Sequence, residues 1–97
     1  MTVAALLIIQ ASVLHREAYR AYQAAVQPLI QRFGGRLRAT GVGIEVLEGG
    51  SPARRLVVFE FPSMEALRSF WSSPEYADLR RLREGAAEVD VWALPAS

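Results

Sequence analysis

Two short, nearly unbroken apolar runs constrain the fold of this chain more than any other feature. The first covers residues 3–13 (VAALLIIQASV) and the second covers residues 55–61 (RLVVFEF). Both have the length of a strand and are rich in the residue types that favour strands. A strand with apolar side chains at both alternate sets of positions is typically buried on both faces. We therefore expect two central strands of a sheet.

An amphipathic helix is predicted between the two runs, over residues 16–33. Its apolar positions recur at intervals of three and four residues: Tyr19, Tyr22, Val26, Leu29, Ile30 and Phe33. Pro28 lies opposite this stripe, so we expect a solvent-side kink there and not a break. Gly34 and Gly35 supply the helix stop.

An edge strand is predicted over residues 36–48, which alternate polar and apolar residues around Gly41 and Gly43. Glycines inside a strand usually mark a bulge or bend. Residues 49–52 (GGSP) are a turn cluster, so this strand and the second apolar run are expected to form a hairpin.

The last third of the chain contains two helix starts and a final strand. Ser63 and Ser73 are the predicted N-caps, each followed by a glutamate in the first turn. The second of these helices is expected to turn Tyr76, Leu79 and Leu82 inward and to end near Gly85. Residues 88–94 (EVDVWAL) alternate as a strand does.

The resulting order is that of an α+β ferredoxin-like β-α-β-β-α-β sandwich, in which right-handed crossovers place the first and third strands centrally. A chain of 97 residues fits a single ferredoxin-like domain over residues 1–97. Its helices cover one face of the sheet, although the central strands are apolar on both. A second copy related by twofold symmetry is the simplest cover, so we expect a homodimer.

Composition excludes several classes of function. The sequence is 52% hydrophobic and 22% charged, which is too apolar for a disordered chain. A net charge of +1 gives no sustained attraction for nucleic acid or an anionic membrane. Leu56 and Val58 stand where RNA-recognition modules place stacking aromatic rings, which argues further against RNA. The absence of cysteine fits a reducing compartment, and we expect the cytoplasm.

Short segments in a fixed order resemble the bacterial domain-of-unknown-function family numbered thirteen-thirty, of the dimeric α/β-barrel superfamily. They are YRAY (19–22), Pro28, FGG (33–35), LEG (47–49), FEFPS (59–63), SPEY (73–76) and Arg83. The resemblance covers nearly the whole chain and implies a ferredoxin-like protomer that pairs into a dimeric barrel. It implies no biochemical role. His15 departs from the family, which more often has an aspartate at this helix start.

Polar residues without an obvious structural task are the candidates for a ligand site: Tyr22, Glu48, Glu60, Tyr76 and Arg83. Tyr76 and Arg83 are two helical turns apart, which places both on the inward side of the last helix. An inward arginine needs an anion. That anion is either an internal partner, Glu48 or Glu60, or a carboxylate or enolate bound in a pocket between helices and sheet.

His15, the only histidine, has no partners at metal-ligand spacing, so no metal site is expected. A helix-start role suits it, and it is also a candidate proton carrier because imidazole titrates near neutral pH.

Three hypotheses about function follow. The first is a homodimer with a small-molecule pocket for a carboxylate or phenol, and the second is a cofactor-independent monooxygenase or isomerase, by analogy with the superfamily. The third is an interaction module without a pocket. None of the three calls for a cofactor.

Overall fold

Both apolar runs form central strands of one antiparallel sheet, as predicted. The computed structural model describes residues 3–41, 43–50 and 54–96. Its strands are β1 (Ala5–Val13), β2 (Arg36–Thr40), β3 (Arg55–Phe61) and β4 (Ala87–Pro95). They lie in the order β2-β3-β1-β4, which is the α+β ferredoxin-like arrangement.

The helices lie where their sequence signals predict them. They are α1 (Arg16–Arg32), α2 (Met64–Trp71) and α3 (Pro74–Arg80), and a 3-10 turn (Arg81–Arg83) continues α3. The Oγ atoms of Ser63 and Ser73 accept hydrogen bonds from the backbone N–H groups of Ala66 and Tyr76, at 3.0 and 3.1 Å, so both serines are N-caps. None of the described helices is long and apolar enough to span a bilayer.

Helix α1 passes through Pro28 without interruption, and Pro28 is exposed as predicted. The helix ends at Arg32, and Gly34 follows two residues later with a φ of +88°, in the left-handed region that favours glycine.

Two predicted elements differ from the structure. Strand β2 ends at Thr40 instead of residue 48, and its register shift lies between Leu37 and Ala39, before the glycines to which we assigned it. Leu82, expected inside, is 48% exposed because the chain tightens into a 3-10 turn after Arg80 and turns this side chain outward. The predicted turn at residues 49–52 lies partly outside the described residues.

The core lies between the helices and one face of the sheet. Odd-numbered residues of β1 and β3 point into it, among them Leu7, Phe59 and Phe61. They pack against the apolar stripe of α1 and against Leu67 and Phe70 of α2. This helix-facing side contains the candidate site.

The other face of the sheet, called the open face below, carries an apolar stripe across three strands. The stripe consists of Leu6, Ile8, Leu56, Val58, Trp92 and Leu94. Trp92 is 58% exposed and Leu94 is 48% exposed in the single chain. Ion pairs flank the stripe, because Glu60 contacts Arg36 and Arg38 on one side and Asp90 contacts Arg54 on the other.

Candidate functional site

A cavity of about 320 Å³ lies between α1, α3 and the helix-facing side of the sheet. Its floor is apolar and is made by alternate residues of three strands, including Ile9, Val57 and Val91. A volume of about 300 Å³ or more is typical of small-molecule pockets. The cavity therefore has room for a small ligand.

Three of the predicted site residues meet in this cavity. Tyr22 comes from the apolar stripe of α1, Tyr76 from the first turn of α3, and Arg83 from the 3-10 turn. The hydroxyl oxygens of Tyr22 and Tyr76 are 2.9 Å apart and form a buried hydrogen bond. The Arg83 guanidinium carbon lies 5.8 Å from the centre of the Tyr22 ring.

Tyr22 is a hydrogen-bond donor and not a base at neutral pH. Burial, together with the neighbouring Tyr76, raises the pKa of Tyr22 far above its ordinary value of 10.0. Burial also raises the pKa of Tyr19, which lines the same cavity. One of the two hydroxyls, of Tyr22 or Tyr76, donates to the other. The proton of the accepting hydroxyl is then available for a bound acceptor.

Arg83 adds a cationic donor to the two hydroxyls. Burial opposes its charge, but the oxygens of Tyr76 and Tyr22 more than compensate and raise the pKa of Arg83. Its buried Nε has no hydrogen-bond partner among the described residues. A buried donor without an acceptor is costly, so the site favours a ligand that supplies one.

The charge of the cavity has one sign. Arg20, Arg55 and Arg83 line it, and no aspartate, glutamate or histidine does so among residues 3–41, 43–50 and 54–96. The described residues also include no cluster of three or more histidine or acidic side chains that could hold a metal ion. Positive charge inside apolar walls suits a small organic anion.

The other three candidate residues lie elsewhere. Glu60 is on the open face, 3.1 Å from Arg36 and 3.0 Å from Arg38, because its position in β3 has the opposite parity to the core residues. Glu48 is exposed in the segment after β2, and His15 is the exposed residue before α1, without a side-chain cap. The internal ion pair considered for Arg83 is therefore absent among the described residues.

Several lining residues were missed by the reasoning from sequence. Tyr19 was assigned only to the apolar stripe, and Arg55 only to the start of a strand. The alternation of the strand could have located Arg55, because residues two apart in a strand point to the same face. Arg55 therefore faces the helices, as Val57 does. Trp71, which no sequence signal singled out, also lines the cavity, and its ring lies 5.0 Å from that of Tyr76.

A family model described as a domain of unknown function (DUF1330) matches residues 4–96. The chain belongs to the DUF1330 family. Among curated proteins, none matches it significantly.

Solved structures with the same fold include a protein of unknown function from Rhodopseudomonas palustris, RPA0582. It is 20% identical, with a TM-score of 0.77, and the match covers 100% of this chain and 85% of that one. SnoaB, a cofactor-independent oxygenase from Streptomyces nogalater, is 9% identical, with a TM-score of 0.72 and 99% and 95% coverage.

A third similar structure is a dimeric protein of unknown function with a ferredoxin-like fold from Bacteroides fragilis. It is 12% identical, with a TM-score of 0.61 and 95% coverage of both chains. At these identities the similarities establish the fold of this DUF1330 member, and its function has to be argued from its own site.

Proposed function

We propose that this protein binds a small phenolic or carboxylic compound in the cavity between helices and sheet. The observation that carries the proposal is the cluster of Tyr22, Tyr76 and Arg83 in the cavity, in which the buried Arg83 Nε and one tyrosine hydroxyl proton have no acceptor among the described residues. An oxyanion of the ligand would accept from the Arg83 guanidinium and from the free tyrosine hydroxyl. The apolar floor would hold the ring.

A second candidate function is cofactor-independent enzymatic oxygenation. The fold shared with SnoaB supports it, as do donors placed to stabilise a developing enolate or phenolate. In such a reaction the ionised substrate itself reduces O2, so that an activated ring methylene and O2 give a ring carbonyl and water. No carboxylate or histidine lines the described cavity, so substrate ionisation would depend on the positive charge of its arginines.

We further propose that the protein is a homodimer closed across its open face. Three lines of support are the apolar stripe that includes Trp92 and Leu94, the charged pairs on both of its sides, and the dimeric protein from Bacteroides fragilis with this fold. A second copy seated there would leave both cavities free, because each cavity lies on the helix-facing side of its own sheet.

Isothermal titration with 4-hydroxyphenylacetate and 3-phenylpropanoate tests ligand binding. Wild type should bind at least one of the two acids, and Arg83→Met should lose that binding. Arg68→Met is the matched control, since Arg68 is exposed on α2 and lines no cavity. A wild type that binds neither acid, nor any other from a panel of small aromatic and aliphatic acids, would refute the binding proposal and favour an interaction module.

Oxygen consumption with anthrone tests the enzymatic candidate. Anthrone has an activated ring methylene, and its oxidation by one O2 gives anthraquinone and water. Wild type should accelerate quinone formation over the uncatalysed rate, and Arg83→Met should reduce the acceleration. Equal rates with and without protein, despite measured binding of anthrone, would leave binding as the function.

A further inference from the structure

A second hollow, of about 280 Å³, adjoins the cavity at the N-terminal end of α1. Its lining is Val13, Arg16, Tyr19, Arg20, Gln23 and Arg55. Four of these residues, Tyr19, Arg20, Gln23 and Arg55, also line the main cavity, so the two spaces are neighbours that share these side chains. We call this hollow the arginine mouth.

The topology of the sheet creates this juxtaposition. Strand β1 ends where β3 and β4 begin, as the pairings of Ala11 with Arg55 and of Val13 with Ala87 show. Helix α1 starts at this same end of the strands. Its residues Arg16, Arg20 and Gln23 recur at helical spacing on the side that faces Arg55.

The charges of the arginine mouth are uncompensated. Arg16, Arg20 and Arg55 make no ion pair or side-chain hydrogen bond among the described residues. The same holds for Arg68, Arg80 and Arg81, so what distinguishes the mouth is that three such arginines line one hollow. Glu17, the acidic neighbour on α1, is exposed and lines neither space. Like charges at this spacing on a helix repel each other, so the cluster is not explained by stability.

Tyr19 connects the mouth to the interior. Its side chain is 3% exposed, and its hydroxyl is close enough to both Arg55 and Arg83 that each opposes the rise of its pKa. Positive charge therefore continues from the mouth to the Tyr22–Tyr76 pair.

The geometry points to a ligand with two separated polar ends: a phenol or enol at the inner donors and a second oxyanion, carboxylate or phosphate, held by Arg16, Arg20 and Arg55 in the mouth. This inference rests on the proposed function for its inner end only. The mouth itself can be tested without that ligand.

Titration with inorganic phosphate, and separately with acetate, tests the mouth by itself. In NMR spectra of the full chain, the Nε–Hε signals of Arg20 and Arg55 should shift saturably with at least one anion. The exposed Arg68 should shift little, and Arg55→Gln should abolish saturation at Arg20. Equal, non-saturating shifts at all three arginines would overturn the anion site, and the preferred anion identifies the oxyanion.

The bipolar ligand is tested with 3-(4-hydroxyphenyl)propanoate and its methyl ester, which lacks the outer charge and carries one additional methyl group. Wild type should bind the acid about tenfold more tightly than the ester, as one charged hydrogen bond would give. The preference should shrink at high salt. Arg16→Gln should reduce it while leaving ester binding unchanged, because Arg16 lines the mouth but not the main cavity, and Arg68→Gln should leave it intact.

The two proposals fail differently. Equal binding of acid and ester by wild type would overturn the outer oxyanion and leave the inner pocket in place. Loss of binding of both compounds, together with saturable phosphate or acetate binding at the mouth, would overturn the inner site and the bipolar ligand but keep the anion site.

Discussion

Replacement of Arg83 by methionine separates a ligand site from a structural brace. Methionine keeps an apolar stem of similar length, so packing against Tyr22 is largely retained and only the guanidinium is removed. Among the described residues Arg83 has no carboxylate partner, so the substitution leaves no acid unpaired. The expected change in the free energy of unfolding is therefore small.

Opposing contributions determine the change in the free energy of unfolding. Loss of the cation–π contact with Tyr22, at 5.8 Å, costs about 0.5–1 kcal/mol at a partly exposed site. Loss of the favourable interaction with the oxygens of Tyr76 and Tyr22 adds to this cost, whereas removal of a buried Nε that lacks an acceptor offsets part of it. A brace paired with a buried acid would instead cost about 3–5 kcal/mol.

The effect on ligand binding should be much larger than the effect on stability. Hydrogen bonds to a charged group contribute about 1.5–3 kcal/mol, so binding of a small carboxylate should weaken by roughly tenfold to more than a hundredfold.

Urea denaturation and isothermal titration measure the two quantities, with Arg68→Met as the control. Both variants must be compared at one protein concentration, because the proposed dimer would make stability concentration-dependent. A loss of 3 kcal/mol or more, using the brace estimate as the threshold, would refute the assignment of Arg83 as a ligand donor. So would unchanged affinity for an acid that wild type binds.

Three further predictions concern the dimer, the tyrosines and the packing of α1. Val58→Asp places a charge in the apolar stripe and should give a folded monomer by light scattering, whereas an unchanged dimer would show that the open face is not the interface. Because the pKa of Tyr22 is raised on folding, the stability that depends on its protonated form is complete below about pH 10 and declines as the pH rises above that value. The urea midpoint should therefore fall between about pH 9 and about pH 11, and it should fall less for Tyr22→Phe than for wild type. An equal fall in both proteins would contradict this prediction. Gly35→Ala would place a Cβ 2.5 Å from Ile30 Cγ2 and 2.8 Å from the Phe61 ring. This overlap should lower the free energy of unfolding by about 1–3 kcal/mol. An unchanged stability in the same denaturation assay would show that the end of α1 can move to relieve the overlap.

The sequence by itself determined the features that depend on local pattern. The apolar runs became β1 and β3, and Ser63 and Ser73 became helix caps. These features follow from the strand and helix periods and from backbone groups a few residues away, which one segment contains in full. Tyr76 and Arg83 both line the cavity, although Arg83 lies in the 3-10 turn beyond α3 and not on the last helix, where its spacing placed it.

Only the tertiary structure decided which of the remaining polar residues share a space. Glu60 and Arg55 lie in the same strand, but their opposite parity sends Glu60 to the open face and Arg55 to the cavity. Strand β2 also ended early, because its register shift and pairing depend on β3 and not on its own alternation. The arginine mouth brings together α1 and the beginning of β3, which are distant in sequence. They meet because antiparallel pairing places the start of β3 beside the end of β1, from which α1 leaves the sheet.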